Sequence, residues 1–79
     1  MEHLRNLSQL RPGERARVKR LTTSGAMRRR LLDLGLIEET AVMCLGRSPL
    51  GDPSAYLIRG AVIAIRARDS RQILIDAGC

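Results

Sequence analysis

Aromatic side chains are almost missing from this chain of 79 residues, which has one Tyr, no Phe and no Trp. Proteins that read single-stranded nucleic acid stack bases on exposed aromatic rings, so this shortage argues against a nucleic-acid partner. Histidine is as scarce, and the single one, His3, stands at the start of the chain. A Cys/His or Ser/His/Asp set would need that terminus to fold back onto the body of the domain. The loop Gly51-Asp52 lacks the Lys-Ser/Thr of a phosphate-binding loop and precedes a strand-like segment rather than a helix. No catalytic set is visible, and the expectation is a protein that is not an enzyme.

Long apolar runs are missing too. The longest charge-free apolar runs, Thr40 to Gly46 and Gly60 to Ile65, have the length of strands, whereas a membrane helix needs about 20 apolar residues. The chain should not span a bilayer. Its opening, Met1-Glu2-His3-Leu4-Arg5, has no basic segment followed by an apolar one, so a cytoplasmic location is expected. The two cysteines, Cys44 and Cys79, form no framework, and a reducing compartment keeps them as thiols. With His3 they lack metal-motif spacing, so no cofactor is expected. His3 and Cys79 remain weak candidates for an adventitious Zn(II) or Fe(II) at the chain ends.

What the chain does have is aliphatic side chains and arginine. Lys19 is the only lysine among 14 basic residues, and the formal net charge is +6. Such an excess attracts acidic partners at low ionic strength and is screened at cellular salt. A length of 79 residues suits one domain, 1–79, with a single thin core, because small domains bury only ~60% of their unfolded surface.

Periodicity locates the elements. Leu4, Leu7 and Leu10 suit a short N-terminal helical turn before Pro12-Gly13 breaks it. From Arg15 to Leu21 the pattern alternates, with Ala16 and Val18 on one face, but Leu21 falls on the other parity. A bulge near Lys19-Arg20 reconciles them. Thr22, Thr23 and Ser24 are candidate caps for a helix over Gly25 to Leu34, whose Met27, Leu31 and Leu34 form an apolar stripe ended by Gly35 at a left-handed position. Thr40 to Arg47 reads as a strand apolar on both faces, hence central. Pro49 and Pro53 make Ser48 to Ser54 a stiff connection. Two strands flank Gly60 in a tight primed turn. Asp69 or Ser70 is expected to cap a short turn before a last strand at Gln72 to Asp76. About five short strands with one inserted helix predict a small, mainly β, closed or nearly closed barrel.

Two blocks carry more information than these periodicities: Arg30-Leu31-Leu32-Asp33-Leu34-Gly35-Leu36 and Ser48-Pro49-Leu50-Gly51-Asp52-Pro53. With Leu10-Arg11-Pro12-Gly13-Glu14 and Ile63-Ala64-Ile65-Arg66, they resemble the FeoA family, small cytosolic accessory proteins of bacterial ferrous iron uptake. The resemblance runs from Leu7 to Ile75. It implies an SH3-like β-barrel with a structural motif at Arg30, Leu31, Leu34 and Gly35, and a non-enzymatic role on the cytosolic side of the GTPase permease FeoB. This chain departs from the family at Glu38-Glu39, where Pro-Gly is common, and at Ser70, where Ala is usual. The same barrel ends metal-dependent repressors, but a chain of this length is too short for their DNA-binding and dimerisation parts. A free-standing adaptor for another partner, or an RNA-binding barrel, is the alternative, and self-association is possible.

The residues expected to meet the permease are Arg28 and Arg29, with Pro49, Leu50, Gly51, Asp52 and Pro53. Arg28-Arg29-Arg30 is either a solvated helix face or a docking surface for an acidic protein. Leu50 is either an exposed anchor held by two prolines or a side chain tucked under its own loop.

Overall fold

A parity conflict in one strand decides much of the architecture, and the computed structural model, which describes residues 4–76, resolves it by a bulge. Strand β2 (Arg15–Leu21) pairs with the last strand, β6 (Ile73–Asp76), and their register shifts between Val18 and Arg20. The extra residue lets Ala16, Val18 and Leu21 all reach the core, as the pattern requires. The remaining elements are β1 (Arg5–Asn6), a 3-10 turn at Leu7–Gln9, α1 (Gly25–Asp33), β3 (Ala41–Arg47), β4 (Ser54–Ile58), β5 (Ala61–Ile65) and α2 (Ala67–Ser70).

All pairings are antiparallel, in one six-stranded sheet of order β1-β6-β2-β3-β4-β5. The sheet curls around its core without β1 and β5 pairing, so the barrel is unclosed. The sixth strand is the short β1, which pairs Arg5 with Ile75 and Asn6 with Leu74. The N-terminal segment is therefore a strand followed by one 3-10 turn, rather than helical turns from Leu4 onward. Leu7 and Leu10 are nonetheless buried, closing one end of the core.

The core is aliphatic around a single ring. Leu36, Ile58, Ile73 and Ile75 are fully buried, as is Tyr56 to within 1%, and each such side chain contributes about 1.5–3 kcal/mol relative to exposure. Strand β3 sits in the interior of the strand order, yet only one of its faces is covered: Val42 and Cys44 are buried, while Ala41 and Leu45 are exposed. An interior place in the order secures hydrogen bonds on both edges. Burial of both faces needs a further layer, and on the outer side Ala41 and Leu45 stay exposed while Met43 is half-buried.

Two positions show how the turns are fixed. Arg59 (φ 51) and Gly60 (φ 82) form the primed turn between β4 and β5. Glu39 adopts φ 72, although it is not a glycine. Its N–H donates to the Val18 carbonyl at 2.7 Å, and Lys19 Nζ donates to its carboxylate at 2.5 Å. These bonds offset a left-handed conformation that costs a non-glycine residue about 1–2 kcal/mol.

Candidate functional site: a groove between the helix and the edge strand

Helical spacing places Met27, Arg30, Leu31 and Leu34 on one side of α1, and this side faces the end of β5 across a groove of about 300 Å³. Leu31 is buried, while Met27 and Leu34 are half-buried against the core and form the apolar floor. Ala64 and Ile65 line the opposite wall, Pro53 joins from the proline loop, and Arg66, Arg68 and Asp69 complete the rim. Three guanidinium groups thus face one carboxylate. Among the described residues, those of Arg30, Arg66 and Arg68 have no ion pair or hydrogen bond. An apolar floor under an unneutralised basic rim can hold an apolar side chain flanked by acidic ones.

The proline loop is braced at its base and free at its tip. The Ser48 N–H donates to the Pro53 carbonyl at 3.0 Å, and its hydroxyl donates to the Asp52 carbonyl at 2.8 Å. Asp52 Oδ1 accepts the N–H of Ala67 at 2.8 Å, at the first residue of α2. The cap of α2 therefore comes from a carboxylate 15 residues away, and not from Asp69 or Ser70. Ser70 is buried and its hydroxyl donates back to the Ala67 carbonyl. At the tip, Leu50 is 94% exposed, so it is not tucked under the loop.

The signature block behaves as a structural unit with one edge on the groove. Helix α1 ends at Asp33, Leu34 is its cap, and Gly35 takes φ +99. The Gly35 carbonyl accepts from Thr40 Oγ1 at 3.0 Å and from Arg59 Nε at 3.2 Å, so the end of α1 is tied to the β4–β5 turn. A Cβ on Gly35 would lie 2.7 Å from Arg59 Cδ. At the other end Ser24 is the N-cap, without a capping bond from its side chain.

The structure brings Arg30, Leu31, Leu34 and Pro53 together. It does not bring Arg28 to them: one Nη of Arg28 donates to the Leu21 carbonyl at 3.1 Å, beside Leu32 and Leu36 in a separate depression. Arg29 is exposed. Met27, Ala64, Ile65, Arg66, Arg68 and Asp69 were not singled out as site residues from sequence. The signals that could have found them were Met27 in the apolar stripe of the helix, the block Ile63-Ala64-Ile65-Arg66, and Arg68 two residues beyond it. His3 and Cys79 lie outside the described residues. Among the described residues no group of three or more His, Cys, Asp or Glu could hold a metal, and Cys44 is a buried free thiol. Nor is any helix among them long and apolar enough to cross a membrane. Tyr56 is buried, which raises its phenol pKa above the usual 10.0 despite hydrogen bonds with Ser54 and Ser70 that lower it.

Comparison with known proteins gives a consistent result. The model of the FeoA domain family matches residues 5–77. A Porphyromonas gingivalis protein described as an Fe(2+) transport protein A/Fe(2+) transporter FeoB fusion is 29% identical over 70 residues, which is 89% of this chain and 8% of that protein. The chain thus spans under a tenth of that curated relative. The solution structure of the FeoA protein from Chlorobium tepidum superposes with a TM-score of 0.87 at 34% identity, covering 94% of this chain and 70% of the other. The zinc complex of Stenotrophomonas maltophilia FeoA, described as a procaryotic SH3 domain protein possibly acting as a ferrous iron transport activating factor, superposes with a TM-score of 0.81. It is 25% identical, over 91% of this chain and 89% of the other.

Proposed function

The chain belongs to the FeoA domain family, and from that premise we propose that it is a cytosolic, non-enzymatic accessory factor of ferrous iron uptake that binds the cytosolic part of a FeoB-type permease. The observation that carries this reading is the Porphyromonas gingivalis fusion, in which a transport protein A and a FeoB transporter share one polypeptide. Joining two proteins in one chain raises their effective concentration and favours a contact between them. The basic groove and the exposed Leu50 supply a surface of fitting chemistry, with charge steering the encounter and apolar groups slowing release. An RNA-binding role lacks a stacking platform, because Tyr56, the only aromatic residue, is buried.

The test is a biolayer measurement with the purified cytosolic part of the permease from the same genome, in the nucleotide-free, GDP-bound and GTP-analogue-bound states. Arg30→Glu with Arg66→Glu is expected to slow association about tenfold and to flatten its salt dependence, because both charges stand at the groove. Arg28→Glu with Arg29→Glu should have a smaller effect on association, since Arg28 is engaged by the Leu21 carbonyl. Leu50→Ala is expected to speed dissociation. Absence of binding by the parent chain in all three states would overturn the reading.

A further inference from the structure

We propose that β5 is a docking edge, to which an extended segment of the permease's cytosolic part adds as a further strand within the groove between β5 and α1. It rests on the permease reading above, and it names how the contact is made. Among the described residues, strand β5 ends the strand order and pairs only with β4. In a two-residue primed hairpin the flanking pair, here Ile58 and Ala61, exchanges both backbone hydrogen bonds, and the pairs Tyr56–Ile63 and Ser54–Ile65 repeat that arrangement. The N–H and C=O groups of Val62 and Ala64 therefore point away from β4, along the free edge. Edges of this kind are usually blunted by charge, proline or a bulge. The sequence Ala61–Ile65 has no charged residue and no proline, and its register with β4 is unbroken.

The groove fixes the chemistry of the added strand. Its floor on the α1 side is apolar and its rim carries Arg30, Arg66 and Arg68. An occupant with apolar side chains at alternate positions and acidic residues beside them would meet both, with main-chain bonds to Val62 and Ala64 supplying the register. A second copy of this chain fits poorly. Antiparallel pairing of two β5 edges centred on Ile63 brings Arg66 of each toward Arg59 of the other, in molecules that each carry a net charge of +6.

Proline at an outward-facing N–H removes a donor from the edge without touching the β4–β5 ladder. Val62→Pro and Ala64→Pro are therefore expected to weaken binding to the permease's cytosolic part by at least about tenfold, whereas Val62→Ala, which keeps the N–H, stays within about twofold. In the unmutated chain, hydrogen exchange followed by NMR should show the Val62 and Ala64 amides gaining protection in the complex, a readout that needs no variant to fold. Unchanged affinity of both proline variants, or no gain in protection, overturns strand addition while leaving the permease reading intact. A dimer of the free chain that Val62→Pro abolishes would assign the edge to a second copy and overturn it as well. Failure of the parent to bind overturns both readings together.

Discussion

The sheet built from β6, β2 and β3 and the side formed by α1, β5 and the proline loop are made of similar residues to opposite effect. On the first, Val18, Val42, Ile73 and Ile75 are all at most 2% exposed. On the second, Val62 is 67% and Leu50 94% exposed, and the arginines of the groove rim have no ion pair or hydrogen bond among the described residues. The first side spends most of its aliphatic residues on the core, Ala41 and Leu45 on the outer face of β3 excepted. The second keeps some apolar surface and charge available for another molecule, which is where a docking function would be placed. Core burial and exposed apolar and basic surface are thereby largely separated within one small domain.

The sharpest way to break this separation is to remove the same kind of side chain from each side. Ile75→Ala should cost about 2–5 kcal/mol through lost burial and the cavity left behind. Val62→Ala should stay within about 0.5 kcal/mol, as exposed substitutions do. Denaturant unfolding measures both, and equal costs would show that the outer side also supports the fold. Next in size is Gly35→Val, at the place where the two sides meet. It forces a β-branched residue into φ +99 and pushes against Arg59, for an expected loss of about 1–3 kcal/mol. A cost within error would mean that the junction relaxes and that the sides are less tightly joined than Gly35 suggests.

The smallest effect concerns Tyr56. Its folded pKa is raised by burial, so the folded state holds the proton more tightly than the unfolded one. The linked stability is fully present below about pH 10, the unfolded phenol value, and is lost as pH rises through the folded pKa. Tyr56→Phe should remove this alkaline slope at a cost of about 1 kcal/mol at neutral pH. Phenolate absorbance during an alkaline titration gives the check, and an ordinary titration near pH 10 would show that the ring opens to solvent without unfolding.

Local chemistry was legible in the sequence, and long-range placement was not. The parity of Val18 and Leu21 demanded a bulge, Gly35 stopped a helix, and Gly60 marked a primed turn, because each depends on a few neighbouring residues. Strand β1 escaped notice because its reason for existing is the pairing of Arg5 with Ile75, far along the chain. Capping of α2 by Asp52 was hidden for the same cause. The groove was half visible: Arg30, Leu34, Pro53 and Arg66 belong to recognisable blocks, whereas their meeting, with Arg68, depends on β5 ending beside α1. Arg28 looked equivalent to Arg30 in the run, yet two positions of a helix turn it toward the Leu21 carbonyl.

The proline loop has a bearing on how such a domain can change over evolutionary time. Its base is fixed by Ser48, Asp52 and the Ala67 amide, while Pro49, Leu50 and Gly51 stand clear of the core. Drift at the tip is therefore decoupled from folding. Pro49 and Leu50 can be revised without risking the domain itself, whereas Gly51, held at φ +88 with its N–H on the Ser48 carbonyl, and the bracing carboxylate of Asp52 are constrained.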